Sequence, residues 1–309
     1  MHSPAHPRLS DIIAKERSDT PLGVVYPCDV PAMTAAHQIA TLGIAKVFLI
    51  GPTAKIQTAA SAAGADLSRM TIVDTVDDPK VTAKTATQLV RDGKLAALMK
   101  GSLHTDELMA AAVNKETGLR TPRRIGHVII CDVPAYHKLL SLTDCVVNIA
   151  PTLDHKKQFL FDAITLLQRL GIQKPKVAIV AAVESVNPAM VATLDAAALV
   201  DAAKQGEFPE SMVEGPFGFD NAISKESAKI KGIQSDVAGD PDLLLLPDLE
   251  AANILFKSLV YMGGAACAGI VTGVSAPIAL ISRSDSTFSR VASAALAVRA
   301  ARHSKEEQK

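Results

Sequence analysis

The chain has 309 residues, 48% of them hydrophobic, and its 32 Lys and Arg residues balance its 32 Asp and Glu residues. A chain of this length exceeds the size at which one hydrophobic core usually divides, so two domains are expected. Zero net charge provides no broad positive field for a polyphosphate backbone, which argues against a nucleic-acid partner. A small anionic ligand must then be bound by a few local cations and backbone amides.

The N-terminal residues carry charges throughout and lack the apolar run of a secretory signal. The most apolar segment, residues 263–281, contains glycines and Pro277, so it is predicted to form a buried helix, a turn and a buried strand rather than a membrane span. Four cysteines lie far apart without metal-ligand spacing: Cys28, Cys131, Cys145 and Cys267. We therefore expect a cytoplasmic protein with reduced thiols and no membrane partner.

Short runs rich in Val and Ile alternate with longer Ala-rich stretches of helical period, which predicts an α/β fold with a largely parallel sheet. Because most of the short runs do not alternate with polar residues, these strands are expected to be covered on both faces. The predicted strands are residues 23–26, 46–50, 96–99, 127–131, 146–149, 176–180, 243–246 and 278–281. The predicted helices are residues 31–42, 81–91, 105–113, 155–170, 194–204, 249–262 and 289–302.

Three of the predicted strands end directly in polar or glycine-bearing turns, at residues 100–102, 247–248 and 282–283. Ligands of open α/β sheets bind outside the carboxyl ends of the strands, so these turns are the first candidates for a site. Ser, Asp and Gly are also ordinary turn and N-cap residues. For any one turn taken alone, helix capping is the more common explanation.

The turn at residues 100–106 reads Lys-Gly-Ser-Leu-His-Thr-Asp and lies between a buried strand and a helix. Its glycine allows backbone amides to approach a ligand closely, and the N-terminus of the following helix favours an anion. This segment is therefore interpreted as a phosphate cradle. The alternative is that Thr105 is an N-cap and His104 a surface residue.

Two further segments each contain several residues that could bind a substrate or take part in catalysis. Residues 213–224 form a loop with glycines, a proline and two aromatic residues beside Asp220 and Asn221, for which a binding role and a purely structural role are equally open. Residues 281–286 place Arg283 and Asp285 among three serines at a strand end, where an arginine fork can hold phosphate while a carboxylate handles a proton. An Arg-Asp pair with helix-capping serines is the competing interpretation.

Six segments, in order along most of the chain, carry a family likeness. They read K-G-S-L-H-T at 100–105, T-G-L-R-T-P-R-R-I-G-H-V at 117–128, V-E-S-V-N-P-A-M at 183–190, V-E-G-P-F-G-F-D-N-A-I-S at 213–224, V-A-G-D-P-D-L-L-L-L-P-D-L-E-A-A-N at 237–253 and A-P-I-A-L-I-S-R-S-D-S at 276–286. Together they resemble the phosphate acetyltransferase and phosphate butyryltransferase family. The resemblance is greatest to the acyltransferase half of bifunctional enoyl-CoA hydratase/phosphate acetyltransferases, and no hydratase activity is carried over.

The resemblance implies a two-domain α/β fold of the isocitrate/isopropylmalate dehydrogenase type with an inter-domain cleft. We assign residues 1–138 plus 278–309 to the first domain and residues 139–277 to the second. The reaction implied is acyl-CoA plus phosphate giving acyl phosphate plus coenzyme A, with a short acyl chain. Coenzyme A is then a substrate, no cofactor or metal is bound permanently, and the protein is expected to be a homodimer.

The resemblance also implies roles for individual residues. Ser282 and Arg283 match the pair that contacts the phosphate and the developing oxyanion, and Asp285 is the nearest carboxylate to act as base for the thiol. Acetyl-specific members instead read Ser-Arg-Gly-Cys-Ser and carry an aspartate where this chain has Ser289, which puts both the base and the acyl length in doubt. The predicted substrate-binding residues are His104, Thr105, Asp220, Asn221, Asp248, Asn253, Lys257 and Arg120.

Several alternatives remain open. Arg120, Arg123 and Arg124 could bind the 3'-phosphate of coenzyme A, although an exposed, solvated basic loop is the more common meaning of such a run. Lys257 could equally face solvent. An NAD- and metal-dependent hydroxy-acid dehydrogenase of the same fold would need an acidic metal cluster that the sequence does not offer. A non-catalytic binding protein on the transferase scaffold is the other alternative.

Overall fold

The structure is a computed structural model, and it describes residues 3–282 and 285–306. The chain divides into two compact units. The first contains the chain up to Arg123 and again from Ala266 onward, and the second is Arg124–Ala265. The domain divisions predicted from the sequence lie further along the chain, after residues 138 and 277.

Strands and helices alternate along much of the described chain. The strands are β1 (Pro21–Val25), β2 (Lys46–Gly51), β3 (Met70–Asp74), β4 (Ala97–Lys100), β5 (Gly126–Asp132), β6 (Leu140–Thr143), β7 (Lys176–Val180), β8 (Met212–Phe217), β9 (Leu243–Leu245), β10 (Ala266–Thr272) and β11 (Ile278–Ala279). The helices are α1 (Pro7–Lys15), α2 (Val30–Thr41), α3 (Thr53–Ala63), α4 (Pro79–Arg91), α5 (Thr105–Ala112), α6 (Leu153–Arg169), α7 (Val191–Lys204), α8 (Phe219–Ile223), α9 (Lys225–Ile230), α10 (Leu249–Tyr261) and α11 (Thr287–Glu306).

The first unit is built on strands in the order β3-β2-β1-β4-β11-β10. All neighbouring strands in this order are parallel except β10, which runs antiparallel to β11. Helix α11 is buried nearly all round between residues 291 and 301, where it packs against β10 and α2. A helix that is apolar on every side belongs in a core, and α11 is the central helix of this unit.

The second unit is built on strands in the order β5-β6-β9-β7-β8. Strands β6, β9, β7 and β8 are parallel to their neighbours, and β5 runs antiparallel to β6. Helix α6 packs on β5 and β6, and α7 packs on β7 and β8. Both units therefore have the largely parallel α/β organisation that the sequence predicts.

Three helices begin at an aspartate whose carboxylate accepts a backbone N–H of the first turn. These are Asp29 for α2, Asp78 for α4 and Asp248 for α10. Such caps satisfy donors that the helix itself leaves unpaired and fix the first residue of the helix. All seven predicted helices are confirmed, although α7, whose N-cap Met190 forms no side-chain cap bond, begins at Val191 rather than at the predicted residue 194.

The predicted strand at residues 146–149 is wrong, because that segment is irregular and the strand lies earlier, at β6. The Asp144 carboxylate accepts the backbone N–H groups of Val146 at 2.8 Å, Val147 at 3.0 Å and Asn148 at 3.2 Å. Amides that bond to a local side chain cannot form a strand ladder. The other predicted strands are confirmed, although β11 covers only the first two residues of 278–281.

The prediction of a buried helix after residue 263 is also wrong, because the segment forms strand β10. Its Ala, Cys and Gly side chains are small, and residues 267–272 are buried. A short buried run of this kind has no period that distinguishes a helix from a strand. None of the helices in residues 3–282 and 285–306 is both long and apolar enough to cross a membrane.

Candidate active site

The predicted phosphate turn and the predicted catalytic turn follow neighbouring strands of the first unit. Strands β4 and β11 are parallel, with Ile278 paired to Leu98 and Ala279 to Met99. Parallel neighbours have their carboxyl ends at the same edge of the sheet. The segments that begin at residues 101 and 280 therefore leave the sheet side by side, at the edge where α/β proteins bind ligands.

The turn after β11 is closed by bonds between Ser282 and Asp285. The backbone N–H of Ser282 donates to Asp285 Oδ2 at 2.8 Å, and the backbone N–H of Asp285 donates to the Ser282 carbonyl at 3.2 Å. Both residues are partly buried. Arg283 and Ser284 lie outside the described residues, so the role predicted for Arg283 stays a prediction.

The turn after β4 is held against the residues that follow β1. The Gly101 N–H donates to the Val25 carbonyl at 2.9 Å, and a β-carbon on Gly101 would lie 2.4 Å from that oxygen. Ser102 Oγ donates to the Tyr26 carbonyl at 2.7 Å and accepts the Cys28 N–H at 3.2 Å. Only glycine allows this approach, so the turn has one position relative to residues 26–28.

His104 and Thr105 lie at the start of α5. His104 is exposed, and its backbone N–H donates to Glu107 Oε2 at 2.8 Å, while Thr105 is partly buried as the first residue of the helix. The N-cap of α5 is therefore His104 and not Thr105, so the capping interpretation is wrong for Thr105, while His104 is a surface residue as that interpretation predicted. Whether the two side chains bind phosphate stays a prediction.

The arginines at 120, 123 and 124 are all exposed. Arg120 forms an isolated antiparallel bridge with Val274 in the first unit. In the second unit Arg124 donates from Nε to Asn148 Oδ1 at 2.5 Å and from its backbone to Gln158 Oε1 at 2.9 Å. Arg124 therefore has a structural role of its own, and Arg120 remains the predicted ligand of a phosphate on coenzyme A.

In the second unit, Asp248, Asn253 and Lys257 lie on or directly before α10, which follows β9. Asp248 Oδ1 accepts the Ala251 N–H at 2.8 Å as the N-cap of this helix. Asn253 Nδ2 donates to the Cys145 carbonyl at 3.1 Å, and so ties α10 to the segment that follows β6. Lys257 is partly exposed, with Nζ 5.1 Å from the centroid of the neighbouring Phe256 ring.

Asp220 and Asn221, which follow β8, belong to a charged cluster that the sequence did not reveal. Lys231 Nζ lies 3.2 Å from Asp220 Oδ2 and 3.3 Å from Glu184 Oε2. Asp220 Oδ2 also accepts the Ser227 hydroxyl at 2.8 Å, and Asn221 Nδ2 donates to Glu184 Oε2 at 3.4 Å. Glu184 lies in the segment 183–190 that carries the family resemblance, whereas no sequence signal marked Lys231.

The cluster favours its charged forms. The Ser227 hydroxyl and the Lys231 ammonium lower the pKa of Asp220, and its own backbone N–H together with Lys231 lowers the pKa of Glu184. Asp220 in turn raises the pKa of Lys231. Within the described chain, the buried Asn221 Oδ1 has no hydrogen-bond donor. An unpaired buried oxygen is unfavourable, which makes Asn221 Oδ1 an unusual atom of this cluster.

This α/β chain thus has hydroxyl-bearing and charged residues after the carboxyl ends of its parallel strands, where open α/β sheets bind ligands. Residues 80–298 match the family described as Phosphate acetyl/butaryl transferase. The chain is 44% identical to the phosphate acetyltransferase of Rhizobium meliloti over 297 residues, 95% of this chain and 94% of that protein. It is 38% identical to the phosphate butyryltransferase of Clostridium beijerinckii over 298 residues, 96% of this chain and 97% of that protein.

Among solved structures, the branched-chain phosphotransacylase from Enterococcus faecalis V583 superposes with a TM-score of 0.80 at 27% identity, covering 91% of this chain and 99% of that one. The chain therefore belongs to the phosphate acetyl/butyryl transferase family, and it is an acyltransferase. The resemblance and the enzyme class predicted from the sequence are confirmed. The assignment of individual site residues is not tested by these comparisons and stays a prediction.

Proposed function

We propose that this enzyme transfers a short acyl group between coenzyme A and inorganic phosphate. The observation that carries the proposal is the parallel pairing of β4 and β11 in a member of this family. It gives one edge of the first unit two adjacent turns with the residue types that phosphate transfer needs. Family membership favours this reaction over the NAD-dependent dehydrogenase left open by the sequence.

In the proposed reaction the thiolate of coenzyme A attacks the carbonyl carbon of an acyl phosphate. The carbon–sulfur bond forms, the carbon–oxygen bond to phosphate breaks, and phosphate leaves with the electron pair of that bond. Arg283, beside Ser282, would neutralise charge that grows on the carbonyl and phosphate oxygens. Asp285 would accept the thiol proton and return it to the departing phosphate.

His104, Thr105 and the amides at the start of α5 would hold the phosphate. The carboxylates of Asp106 and Glu107 lie in the same first turn, so the helix terminus alone is a weak anion site. We therefore propose that a cation from the neighbouring turn, the one after β11, also binds the phosphate. Arg283 is the cation that the sequence offers there.

The second unit would bind coenzyme A. Asn221 belongs to the segment 213–224 that carries the family resemblance, and it would contribute to this binding beside Asp220. Asp220, Asp248, Asn253 and Lys257 would contribute further polar contacts, and Arg120 of the first unit a contact to a coenzyme A phosphate. We also propose the two-domain arrangement with an inter-domain cleft, and a cytoplasmic homodimer, which the resemblance implies.

The acyl chain is proposed to be short, with acetyl as the first candidate and propionyl and butyryl as alternatives. The relatives named above include both an acetyltransferase and a butyryltransferase. Single methylenes are worth about 1–3 kcal/mol in an apolar pocket, so discrimination between these substrates is expected to be modest. The departure from the acetyl-type motif at residues 284–286 favours broader acyl use.

The test is the release of free thiol from acyl-CoA on addition of inorganic phosphate, followed with a thiol reagent. We expect rapid, phosphate-dependent release with acetyl-, propionyl- or butyryl-CoA, and the rate profile across these substrates identifies the preferred chain. Sulfate in place of phosphate is the control, since it cannot form an acyl phosphate of the proposed kind. No phosphate-dependent release with any acyl-CoA would support the alternative of a non-catalytic binding protein.

A further inference from the structure

One tyrosine of the first unit has a backbone conformation that tyrosine rarely adopts. Tyr26 follows β1 at the carboxyl edge of the sheet and has a φ of 55°. Among the residues that the structure describes, it is the only one other than glycine with a positive φ. This left-handed region is open to glycine but unfavourable for a residue with a side chain. Such strain is typical of functional sites, so we expect the tyrosine side chain to have a role there.

The backbone of Tyr26 joins the ends of two other strands. Its N–H donates to the Ile50 carbonyl near the end of β2, at 2.7 Å. Its carbonyl accepts two bonds from Ser102 in the turn after β4, one from the backbone N–H at 2.9 Å and one from Oγ at 2.7 Å. The direction of a carbonyl follows from the backbone dihedrals of its residue. The conformation of Tyr26 therefore determines where Ser102 lies.

The side chain of Tyr26 is held by two charged groups. Its hydroxyl donates to Asp77 Oδ1 at 2.7 Å and accepts from Lys55 Nζ at 3.2 Å, so the hydroxyl is used both as donor and as acceptor. Lys55 Nζ also lies 2.8 Å from Asp77 Oδ2, which closes a ring of three contacts. Tyr26 itself is buried, whereas the side chains of Lys55 and Asp77 are half exposed.

The three side chains come from the carboxyl ends of three neighbouring strands. Tyr26 follows β1, Lys55 lies in the first turn of α3 after β2, and Asp77 follows β3. The strand order is β3-β2-β1-β4, and all of these pairs are parallel. Contacts thus continue along one edge of the sheet, from Asp77 through Tyr26 to Ser102. No sequence signal marked Tyr26, Lys55 or Asp77 as part of a site.

We infer that Tyr26 is a positioning residue: its hydroxyl, held by Asp77, keeps the left-handed backbone whose carbonyl orients Ser102 and the turn after β4 for phosphate binding. The inference rests on the proposed function and adds a residue to it. Tyr26 contacts no substrate in this scheme. Without the bonds of its hydroxyl the residue can relax from its strained conformation, and the turn that carries Ser102 then loses its fixed position.

The test is the variant Tyr26→Phe, which keeps the ring and removes the hydroxyl. We expect kcat/KM for phosphate to fall on the order of tenfold, with a raised KM for phosphate, because small misplacements of binding groups have effects of at least this size. KM for acyl-CoA should stay close to that of the wild type. Partial unfolding would lower kcat alone, since the molecules that remain folded keep their KM. An unchanged KM for phosphate would therefore overturn the inference, whatever the melting temperature.

Tyr136→Phe is the matched control. The Tyr136 hydroxyl is also that of a buried tyrosine, and it donates to the Pro241 carbonyl at 2.9 Å, just before β9 at the amino end of the second sheet. The same chemical change is thus made far along the chain from the turn after β4. This variant should keep the wild-type kcat and KM values. An equal rise in KM for phosphate in both tyrosine variants would contradict the inference.

Two variants of Asp77 test the route. An amide oxygen still accepts a hydroxyl, and half-exposed ion pairs contribute little, so Asp77→Asn should keep kcat/KM for phosphate close to the wild-type value. Asp77→Ala removes the acceptor and should lower kcat/KM for phosphate as Tyr26→Phe does. The double variant Tyr26→Phe/Asp77→Ala should then lose no more than the more impaired single variant. Losses that multiply would contradict an action of Asp77 through the hydroxyl.

The failure of this inference is distinct from the failure of the proposed function. If the wild type shows no phosphate-dependent thiol release, the proposed function fails first. An active wild type with an unchanged KM for phosphate in Tyr26→Phe would leave the proposed function intact and overturn only the role of Tyr26.

Discussion

The two units hold the carboxyl edges of their sheets in different ways. In the first unit the edge is fixed by close contacts, such as the approach of Gly101 to the Val25 carbonyl and the bonds of Ser102 to Tyr26 and Cys28. In the second unit the residues after β7 and β8 are connected by ion pairs whose side chains are 35% exposed at Lys231, 39% at Glu184 and 56% at Asp220. Exposed pairs contribute little to stability and weaken with salt.

This difference suggests that the two units have different roles, the first in acyl transfer and the second in binding coenzyme A. Acyl transfer needs reacting groups placed to within a fraction of an ångström, which close-packed contacts provide. Coenzyme A is long and flexible, and an edge with exposed charged groups can adjust to it. Substitutions at the first edge should therefore change kcat, and substitutions at the second should change KM for acyl-CoA.

The largest effect is expected from Arg283→Ala, in the turn after β11. Loss of a preorganised donor to a developing oxyanion typically reduces the rate on the order of 10²-fold or more, so kcat should fall at least that far. The circular dichroism spectrum and the melting temperature should be those of the wild type. A purified, folded variant that retains most of its activity would show that this turn is not the catalytic one.

Gly101→Ala and Ser102→Ala test the rigidity of the first edge. A β-carbon at 101 would lie 2.4 Å from the Val25 oxygen and 2.6 Å from the Tyr26 oxygen, so the backbone must shift. We expect Gly101→Ala to lose about 1–3 kcal/mol of unfolding free energy in urea, together with a drop in kcat. Ser102→Ala, which removes two hydrogen bonds without a clash, should lose about 1 kcal/mol and less kcat.

Ser61→Ala, at an exposed position of α3, is the control for both variants and should behave as the wild type. If Gly101→Ala kept the wild-type kcat despite its lower stability, the position of this turn would not matter for the chemistry. The difference in rigidity between the carboxyl edges of the first and the second unit would then have no effect on catalysis.

Much of the fold could be predicted from the sequence, since strands buried on both faces and helices with clear N-caps have local signals. The failures have local causes as well. Asp144 binds the amides of the segment predicted as a strand, and the small side chains of β10 carry no period. In both cases tertiary burial or a side-chain bond decides what propensity cannot.

Residues of the candidate site could be predicted only where polar or charged side chains directly follow the end of a strand. Ser282, Asp285, His104 and Thr105 were predicted in that way, and their roles stay predictions. The contact of Ser102 with Tyr26 joins residues 76 positions apart, and that of Lys231 with Glu184 joins residues 47 positions apart. Pairings at such separations depend on strand order, which one sequence does not reveal.

A smaller effect is expected at the second edge from Lys231→Met. The variant removes the cation shared by Asp220 and Glu184, and the altered cluster should raise KM for acyl-CoA a few-fold while kcat changes little. Raising the ionic strength should reduce the difference from the wild type, because salt screens partly exposed charges. Steady-state kinetics at low and high salt provide the measurement.

Lys204→Met is the matched control, since Lys204 pairs with Asp201 at 3.1 Å on the exposed face of α7 in the same unit. It should leave both kinetic constants unchanged. If Lys231→Met reduced kcat by a larger factor than it raised KM, the second edge would also position reacting groups for acyl transfer. The proposed separation of roles between the two units would then be wrong.

The smallest effect concerns Cys28, which is half-buried behind Ser102 at the first edge. Burial raises the pKa of its thiol to about 11, Asp77 and Asp29 act in the same direction, and Lys55 acts against them. The folded protein thus holds the thiol proton to a higher pH than the unfolded chain does. Alkylation of Cys28 by iodoacetamide should keep accelerating up to about pH 11 in the folded protein, but level off near pH 9 in urea.

The same shift has a consequence for stability. A thiol whose pKa is raised by folding contributes stability that is complete below the unfolded pKa of about 8.5 and is lost as the pH rises through the folded value. Unfolding free energies of the wild type should therefore fall between about pH 9 and pH 11 more steeply than those of Cys28→Ser.

Mass spectrometry of the peptide that contains Cys28 gives the alkylation rate directly. Equal alkylation rates of Cys28 at pH 8 in the folded and the unfolded protein would show that water reaches Cys28 behind Ser102. The carboxyl edge of the first sheet would then be as accessible to solvent as that of the second.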